Sequence, residues 1–153
     1  MKDYDIAVVG LGYIGLPTAA LFASRGKKIL GIDVNQDIVD IINNGGIHII
    51  EPGLESIVKT TTTNGFFSAS VVPQPAGVFI IAVPTPFIHN DTHEGTPKPD
   101  VSYIKSAAIA ISKVLKKGDL VILESTSPVG TTEKLAGWLA GERSDLSFPH
   151  MAS

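Results

Sequence analysis

Residues 6–33 are IAVVGLGYIGLPTAALFASRGKKILGID, and this stretch decides the fold. It begins with an apolar run at 6–9, which is typical of a strand buried on both faces. A glycine-rich turn at 10–15 leads into a helical pattern that ends near Gly26. A second apolar run at 29–32 is followed by Asp33. Strand, glycine turn, helix, strand and acid form the order of a dinucleotide-binding βαβ unit.

Each glycine of the turn has a predicted physical role. Gly10 permits the tight turn off the first strand, Gly12 leaves room for a pyrophosphate against the backbone, and Gly15 allows the helix to pack on the sheet. Asp33 lies 18 residues after Gly15, where its carboxylate is expected to accept hydrogen bonds from the adenosine ribose. A 2′-phosphate would meet a like charge there, and residues 34–36 contain no Arg or Lys. The pattern therefore predicts NAD rather than NADP.

The composition is that of an ordinary folded domain. The 153 residues suit one domain, 44% of them are hydrophobic, and the net charge is −3, which argues against a nucleic-acid partner. No apolar run is long enough to span a membrane, and the N-terminus leads straight into a strand, so we expect neither a membrane anchor nor a signal peptide. Cysteine is absent. Together these features predict a cytoplasmic location.

Strand and helix patterns alternate along the rest of the chain. We expect helices at 35–43 (capped by Asn35), 54–59, 101–115 and 131–140, and strands at 70–72, 78–83 and 120–123, with another strand beginning at 146–148. The threonines at 60–63 are expected to leave the helix and form a loop. The strand at 78–83 is expected to stop at 84–86, and residues 87–100, rich in Pro, Gly, His and Asn, are expected to form a surface loop. The pattern predicts an α/β fold: a Rossmann-type doubly wound parallel sheet of about five to six strands, with helices on both faces.

Two hydroxyl-bearing segments follow predicted strand ends. Thr85 lies in the sequence VPTP at 83–86, and Thr126 lies in ESTSP at 124–128. Ligands of open α/β sheets bind beyond the carboxyl ends of the strands, so both hydroxyls are placed to reach ribose or nicotinamide. The alternative is that both threonines are only turn residues.

Four ordered motifs resemble the UDP-glucose/GDP-mannose dehydrogenase family: GLGYIGLP at 10–17, EPGL at 51–54, VPTP at 83–86 and STSPVG at 125–130. The longer strings at 12–20 and 123–130 are most similar to the bacterial branch that acts on UDP-N-acetyl-D-mannosamine. The resemblance implies oxidation of the sugar C6 alcohol to a carboxylate with two NAD+. It also implies that Tyr13, Ile14, Asp33, Thr85 and Thr126 contact NAD, and that Thr126 lies nearest the chemistry and helps to orient a water.

The chain departs from this family in one respect. The family uses a cysteine nucleophile assisted by a lysine, and no cysteine is present here. We therefore expect residues 1–148 to be the N-terminal NAD-binding domain of a longer enzyme, with no catalytic residue of its own, and 149–153 to be a tail left by cloning. The UDP-sugar would be bound mainly by the missing C-terminal part, and the parent enzyme would be a homodimer. The fragment alone is expected to bind NAD and to be inactive.

Other residues are weaker candidates for chemistry. His89 and His93, with Asp91 and Glu94 nearby, suggest a metal site, but no helix holds their spacing, so we expect no metal. Glu51 and Glu124 are possible acid–base groups for which cap or turn roles are favoured, and His48 is expected to be a packed residue. A stand-alone NAD-binding regulatory module remains an alternative function. A hydroxyacid or 6-phosphogluconate type of dehydrogenase would share the glycine motif but does not predict the string at 125–130.

Overall fold

The structure, a computed structural model, describes residues 3–88 and 97–148. Its elements in chain order are β1 (Tyr4–Val9), α1 (Gly15–Ser24), β2 (Ile29–Ile32), α2 (Gln36–Asn43), α3 (Leu54–Thr63), β3 (Phe67–Ser70), β4 (Ala76–Ile81), β5 (Phe87–Ile88), β6 (Lys98–Pro99), α4 (Ser102–Ser112), β7 (Leu120–Leu123) and α5 (Thr131–Glu142).

Five of the strands form one parallel sheet in the order β3-β2-β1-β4-β7. Strands β2 and β3 lie on one side of β1, and strands β4 and β7 lie on the other side. The strand order therefore reverses between β1 and β4, with Ile6 beside Val78 and Val9 beside Ile81. This reversal defines the Rossmann-type doubly wound sheet, and it confirms the predicted fold class.

Alternate residues of β1 enter two separate cores. Ile6 and Val8 point into the core that packs against α1, α2 and α3, whereas Ala7 and Val9 point into the core that packs against α4 and α5. Since all four side chains are buried, the strand has to be apolar throughout, as parallel strands covered on both faces are. The helices thus cover both faces of the sheet, as predicted.

The prediction that the threonine run leaves the helix is wrong. Residues 60–63 belong to α3, and three of their hydroxyls donate to carbonyls one turn earlier: Thr61 to Ile57 (2.7 Å), Thr62 to Val58 (2.8 Å) and Thr63 to Lys59 (2.7 Å). These bonds satisfy the three hydroxyls on carbonyls of the helix itself. The burial of Thr61 against the core offsets the low intrinsic helix propensity of threonine.

The third strand also lies earlier than predicted. β3 covers 67–70 rather than 70–72 because Phe67 and Ala69 are the buried residues, while Val71 and Val72 are exposed. Strand β3 is an edge strand, and the Asn43 side chain covers part of its free edge. Asn43 Nδ2 donates to the Ala69 carbonyl (3.0 Å), and its Oδ1 accepts from the Ala69 N–H (2.8 Å).

Other parts of the chain also differ from the prediction. β4 covers Ala76–Ile81 rather than 78–83, and α4 ends at Ser112 rather than at 115. The expected surface loop at 87–100 carries β5 and β6, two short antiparallel strands. Residues 146–148 form no strand. Leu146 and Phe148 pack instead against the core on the face of the sheet that α4 and α5 cover.

Arg143, the residue directly after α5, connects the end of α5 to α4. The Arg143 guanidinium donates to the carbonyls of Ser112 (2.9 Å) and Leu115 and forms a two-pronged pair with Asp145, with both N–O distances 2.7 Å. A cation at the last carbonyls of a helix complements its dipole. The hydrogen bond from Arg143 lowers the pKa of the Asp145 carboxyl, and the same bond raises the pKa of Arg143.

Within the described ranges 3–88 and 97–148, none of the helices is both long enough and apolar enough to cross a lipid bilayer.

Candidate dinucleotide-binding site

The candidate site lies at the carboxyl edge of the sheet, beside the point where the strand order reverses. Because all five strands are parallel, the segments that follow β1, β2, β4 and β7 meet at this edge. The segments are the glycine turn at 10–15, Asp33, residues 82–86 and residues 124–128. The sequence predicted this meeting, and the contacts below describe it.

The three glycines of the turn have different surroundings. Gly10 has a φ of 92°, in the left-handed region, and a Cβ there would lie 2.7 Å from the Ala82 carbonyl oxygen. A Cβ on Gly15 would lie 1.7 Å from the Gly10 carbonyl oxygen. A Cβ on Gly12 would meet no atom within 4 Å. Gly10 and Gly15 therefore serve the fold, whereas the open space beside Gly12 is available to a ligand.

The first turn of α1 presents backbone donors to that open space. The helix makes its first hydrogen bond from Leu16 N to the Gly12 carbonyl (3.0 Å), so the N–H groups between them precede the helical ladder. Helix N-termini of this kind bind phosphate through free N–H groups and the positive end of the helix dipole. Tyr13 and Ile14 are 65% and 57% exposed although they are large and apolar. They thus stand at the surface of the same turn.

Asp33 is held in place by the backbone on both sides. Its Oδ2 accepts from the Leu11 N–H (3.0 Å) of the glycine turn, and its Oδ1 accepts from the Asn35 N–H (3.0 Å). Asn35 in turn caps α2, as predicted, by accepting from Asp37 N (2.9 Å). Each carboxylate oxygen retains a second acceptor position, so the carboxylate is oriented without being saturated.

The segments after β4 and β7 are hydrogen-bonded to each other. Thr85 Oγ1 donates to the Thr126 carbonyl (2.5 Å), and Ser125 Oγ donates to the Val83 carbonyl (2.7 Å). The backbone N–H groups of Glu124 and Ser125 both donate to the Ile81 carbonyl. Thr85 and Thr126 were singled out from the sequence, and the structure places them in direct contact.

Glu124 connects this edge to α1. Its Oε1 accepts from Thr18 Oγ1 (3.0 Å), a hydroxyl in the first half of that helix. Neither Thr18 nor the bonds of Ser125 were assigned a role from the sequence. Thr18 and Glu124 are 106 residues apart in the chain, and no local sequence pattern predicts a contact between residues so far apart.

The remaining candidates lie apart from this arrangement or outside it. Glu51 is exposed in the turn before α3, and His48 Nδ1 is buried without a hydrogen-bond partner among the described residues. His89, Asp91, His93 and Glu94 lie outside the described residues. Within 3–88 and 97–148, no cluster of three metal-ligand side chains occurs.

A concavity of about 440 Å³ lies elsewhere, at the amino end of β7. Residues 115–121, Leu135, Leu139 and 144–148 line it. Because ligands of such sheets bind at the carboxyl edge, this hollow is separate from the candidate site.

The fold and this edge together define a dinucleotide-binding Rossmann domain. Residues 4–152 match the family model described as the UDP-glucose/GDP-mannose dehydrogenase family, NAD binding domain. The chain belongs to that family, and the cofactor of the matched domain is NAD. This membership disfavours the hydroxyacid or 6-phosphogluconate interpretation.

Individual relatives give the comparison more detail. The chain is 63% identical over 145 residues to UDP-N-acetyl-D-mannosamine dehydrogenase of Campylobacter jejuni, covering 95% of this chain and 34% of that protein. It is 57% identical to NDP-N-acetyl-D-galactosaminuronic acid dehydrogenase of Ralstonia nicotianae, covering 95% and 33%. Among solved structures, a UDP-D-ManNAc dehydrogenase of Pyrococcus horikoshii matches with a TM-score of 0.83 and 40% identity, covering 92% and 32%. The chain therefore spans about a third of the length of these relatives.

Proposed function

We propose that this chain is the NAD-binding part of a nucleotide-sugar 6-dehydrogenase that oxidises UDP-N-acetyl-D-mannosamine to UDP-N-acetyl-D-mannosaminuronate with two NAD+. The observation that carries the proposal is the set of polar groups at the carboxyl edge of the sheet, next to an open glycine turn. The 63% identity to a UDP-N-acetyl-D-mannosamine dehydrogenase supports the choice of sugar.

In this proposal different residues at the carboxyl edge of the sheet bind different parts of the cofactor. Gly10, Gly12 and Gly15 shape the turn that receives the pyrophosphate, and Tyr13 and Ile14 cover it. Asp33 accepts hydrogen bonds from the adenosine ribose. The opposite half of the cofactor is received by Thr85 and Thr126.

The surroundings of these residues fit NAD. The position beside Gly12 is open, the donors at the start of α1 suit a pyrophosphate, and the Asp33 carboxylate is already oriented by two N–H groups. A carboxylate at this position favours a ribose 2′-hydroxyl over a 2′-phosphate. When bound, NAD+ supplies the hydride acceptor. The residues of this chain bind and orient it, and Thr126 is proposed to help place a water.

We assign the sugar site, the cysteine nucleophile and the contacts of a homodimer to segments of the parent enzyme that are not part of this sequence. A cytoplasmic location is part of the same proposal. The NDP-N-acetyl-D-galactosaminuronic acid dehydrogenase relative, at 57% identity, makes a nucleoside-diphosphate N-acetyl-D-galactosamine derivative the second candidate substrate. The alternative function is that of a stand-alone NAD-binding module, which binds the cofactor and catalyses no reaction.

Calorimetric titration of the chain with NAD+ and with NADP+ tests the cofactor half. We expect NAD+ to bind, NADP+ to bind at least tenfold more weakly, and Asp33→Ala to lower the affinity for NAD+ by about tenfold to a hundredfold, the range for losing hydrogen bonds to a charged group. Asp37→Ala, at an exposed acid of α2, is the matched control. Equal binding of NADP+, or an unchanged affinity in Asp33→Ala, would contradict the assignment.

The substrate half is tested on the full-length enzyme. UDP-N-acetyl-D-mannosamine should yield two NADH per sugar, whereas UDP-N-acetyl-D-galactosamine and UDP-glucose should react poorly. Faster turnover of the galactosamine substrate would favour the second candidate. Full-length protein that binds NAD+ but reduces none with any UDP-sugar would favour the non-catalytic module.

A further inference from the structure

The segments after β4 and β7 exchange hydrogen bonds in opposite directions. Thr85 donates its hydroxyl proton to the carbonyl of Thr126, while Ser125 donates its own to the carbonyl of Val83. We name this pair of bonds the strand-end clasp. Ser125 also lies 3.3 Å from the Ile81 carbonyl, so its hydroxyl is directed entirely at β4 and the residues that follow it.

The local sequence explains why side chains make these bonds. Pro84, Pro86 and Pro128 have no N–H to donate. Backbone pairing between the two segments therefore stops after Ser125 N, which donates to Ile81. Beyond that point, the hydroxyls of Thr85 and Ser125 hold the two segments together.

The clasp also limits what Thr85 offers a ligand. A threonine hydroxyl has one proton and two acceptor positions, and the proton of Thr85 is committed to the Thr126 carbonyl. Toward a bound molecule, Thr85 is therefore an acceptor. A sugar hydroxyl is a donor of the kind that matches it.

The clasp and Asp33 lie on opposite sides of the strand reversal. Asp33 follows β2, on one side of β1, whereas the clasp joins the ends of β4 and β7 on the other side. A dinucleotide that crosses the reversal with its adenosine ribose at Asp33 has its second nucleotide at the clasp.

We propose that Ser125 is a positioning residue for the nicotinamide-ribose half of NAD+, acting through the strand-end clasp, which presents Thr85 as the acceptor for a ribose hydroxyl. This inference rests on the proposed NAD binding and deepens it. Ser125 itself does not touch the cofactor. Its loss leaves the adenosine half of the site intact.

Titration of the 153-residue chain with NAD+ and, separately, with ADP tests this assignment, because ADP carries the adenosine half alone. We expect Ser125→Ala and Thr85→Val each to weaken NAD+ binding about tenfold, the range for one hydrogen bond, and to leave ADP binding within twofold. Thr85→Ser keeps the hydroxyl and should retain most of the affinity. Ser56→Ala is the matched control, since Ser56 is an exposed residue of α3 outside the four segments of the site, and its hydroxyl makes no hydrogen bond among the described residues.

The outcomes separate the two proposals. A wild-type chain that binds neither ligand would refute the proposed NAD binding. A wild-type chain that binds both, with Ser125→Ala weakening NAD+ and ADP equally, would overturn the positioning role and leave NAD binding standing. If Ser125→Ala does not fold, as judged by its thermal transition, Thr85→Val against Thr85→Ser decides: equal NAD+ affinities for these two variants would overturn the inference.

Discussion

Single replacements of Gly12 and Gly15 by alanine should have different effects. One should weaken binding and the other should weaken folding, because the two glycines serve different roles in the turn. The two glycines are three residues apart, and both have φ outside the left-handed region. The same methyl group therefore enters the same turn with no penalty from backbone conformation. Only its surroundings differ.

At Gly15 the new methyl collides with the backbone. It would lie 1.7 Å from the Gly10 carbonyl oxygen and 3.3 Å from the Ala82 side chain, so the turn would have to retreat by more than about 1 Å. Gly10 cannot give way easily because its N–H donates to the Ile32 carbonyl (2.8 Å) and its own Cα faces the Ala82 carbonyl. Overpacking costs about 1–3 kcal/mol when side chains relax, and a backbone obstacle places Gly15→Ala at about 3 kcal/mol or more.

At Gly12 the new methyl meets empty space. We expect the free energy of unfolding of Gly12→Ala to be unchanged or raised by about 0.4–1 kcal/mol, since alanine reduces the entropy of the unfolded chain. In the proposed site, however, the methyl occupies the space of the pyrophosphate. The affinity for NAD+ should therefore fall by about tenfold or more, or about 1.4 kcal/mol.

Thermal unfolding and calorimetric titration measure the two effects. For a chain of this size about 1 kcal/mol corresponds to roughly 2–4 °C in Tm, so Gly15→Ala should melt about 6–12 °C below wild type, and Gly12→Ala should melt at or slightly above it. A Gly15→Ala variant with wild-type Tm would refute the steric argument. A Gly12→Ala variant with wild-type affinity for NAD+ would refute the placement of the pyrophosphate.

Two other contacts give predictions about stability. Arg143→Ala should lower Tm by a few degrees, because it removes donors from the last carbonyls of α4 and the pair with Asp145, whereas Arg25→Ala at the exposed end of α1 should change Tm little. The pKa of Asp145 is lowered from its ordinary value of 3.8 in the folded state. The contribution of Asp145 to stability is therefore present above that value and is lost as the pH falls through the lowered pKa. Acid titration of Tm should show this dependence in wild type and not in Asp145→Asn. Asn43→Ala should lower the free energy of unfolding in urea by about 1–2 kcal/mol, because it uncovers the free edge of β3. Asn44→Ala is the control and should cost less, since the Asn44 amide bonds only within its own helix turn. Equal losses in the two variants would contradict the edge-covering role of Asn43.

The βαβ unit at 6–33 was predictable from the sequence because its signals are local. An apolar strand, glycines at three required spacings and an acid after the next strand each have a physical requirement that few other residues meet. The four motifs likewise indicated the family before any coordinates, and the matched family model agrees with that indication.

The errors in the prediction share a physical cause. Threonines 60–63 have low helix propensity, but the burial of Thr61 against the core keeps this turn helical. Val71 and Val72 look like strand residues, yet β3 lies at 67–70, where Phe67 fits the core. In both places tertiary packing overrides local preference.

By itself the sequence determined the class of fold, the position of the glycine turn and the identity of the cofactor, because each depends on residues near one another in the chain. The tertiary structure alone decided that Gly12 is open while Gly15 is closed, that Thr18 meets Glu124, and that the hydroxyls of Ser125 and Thr85 bind across to each other's segment. The hydrogen bonds among these contacts join residues that are 41 to 106 positions apart. Their formation depends on the order and register of the strands, which no local pattern encodes.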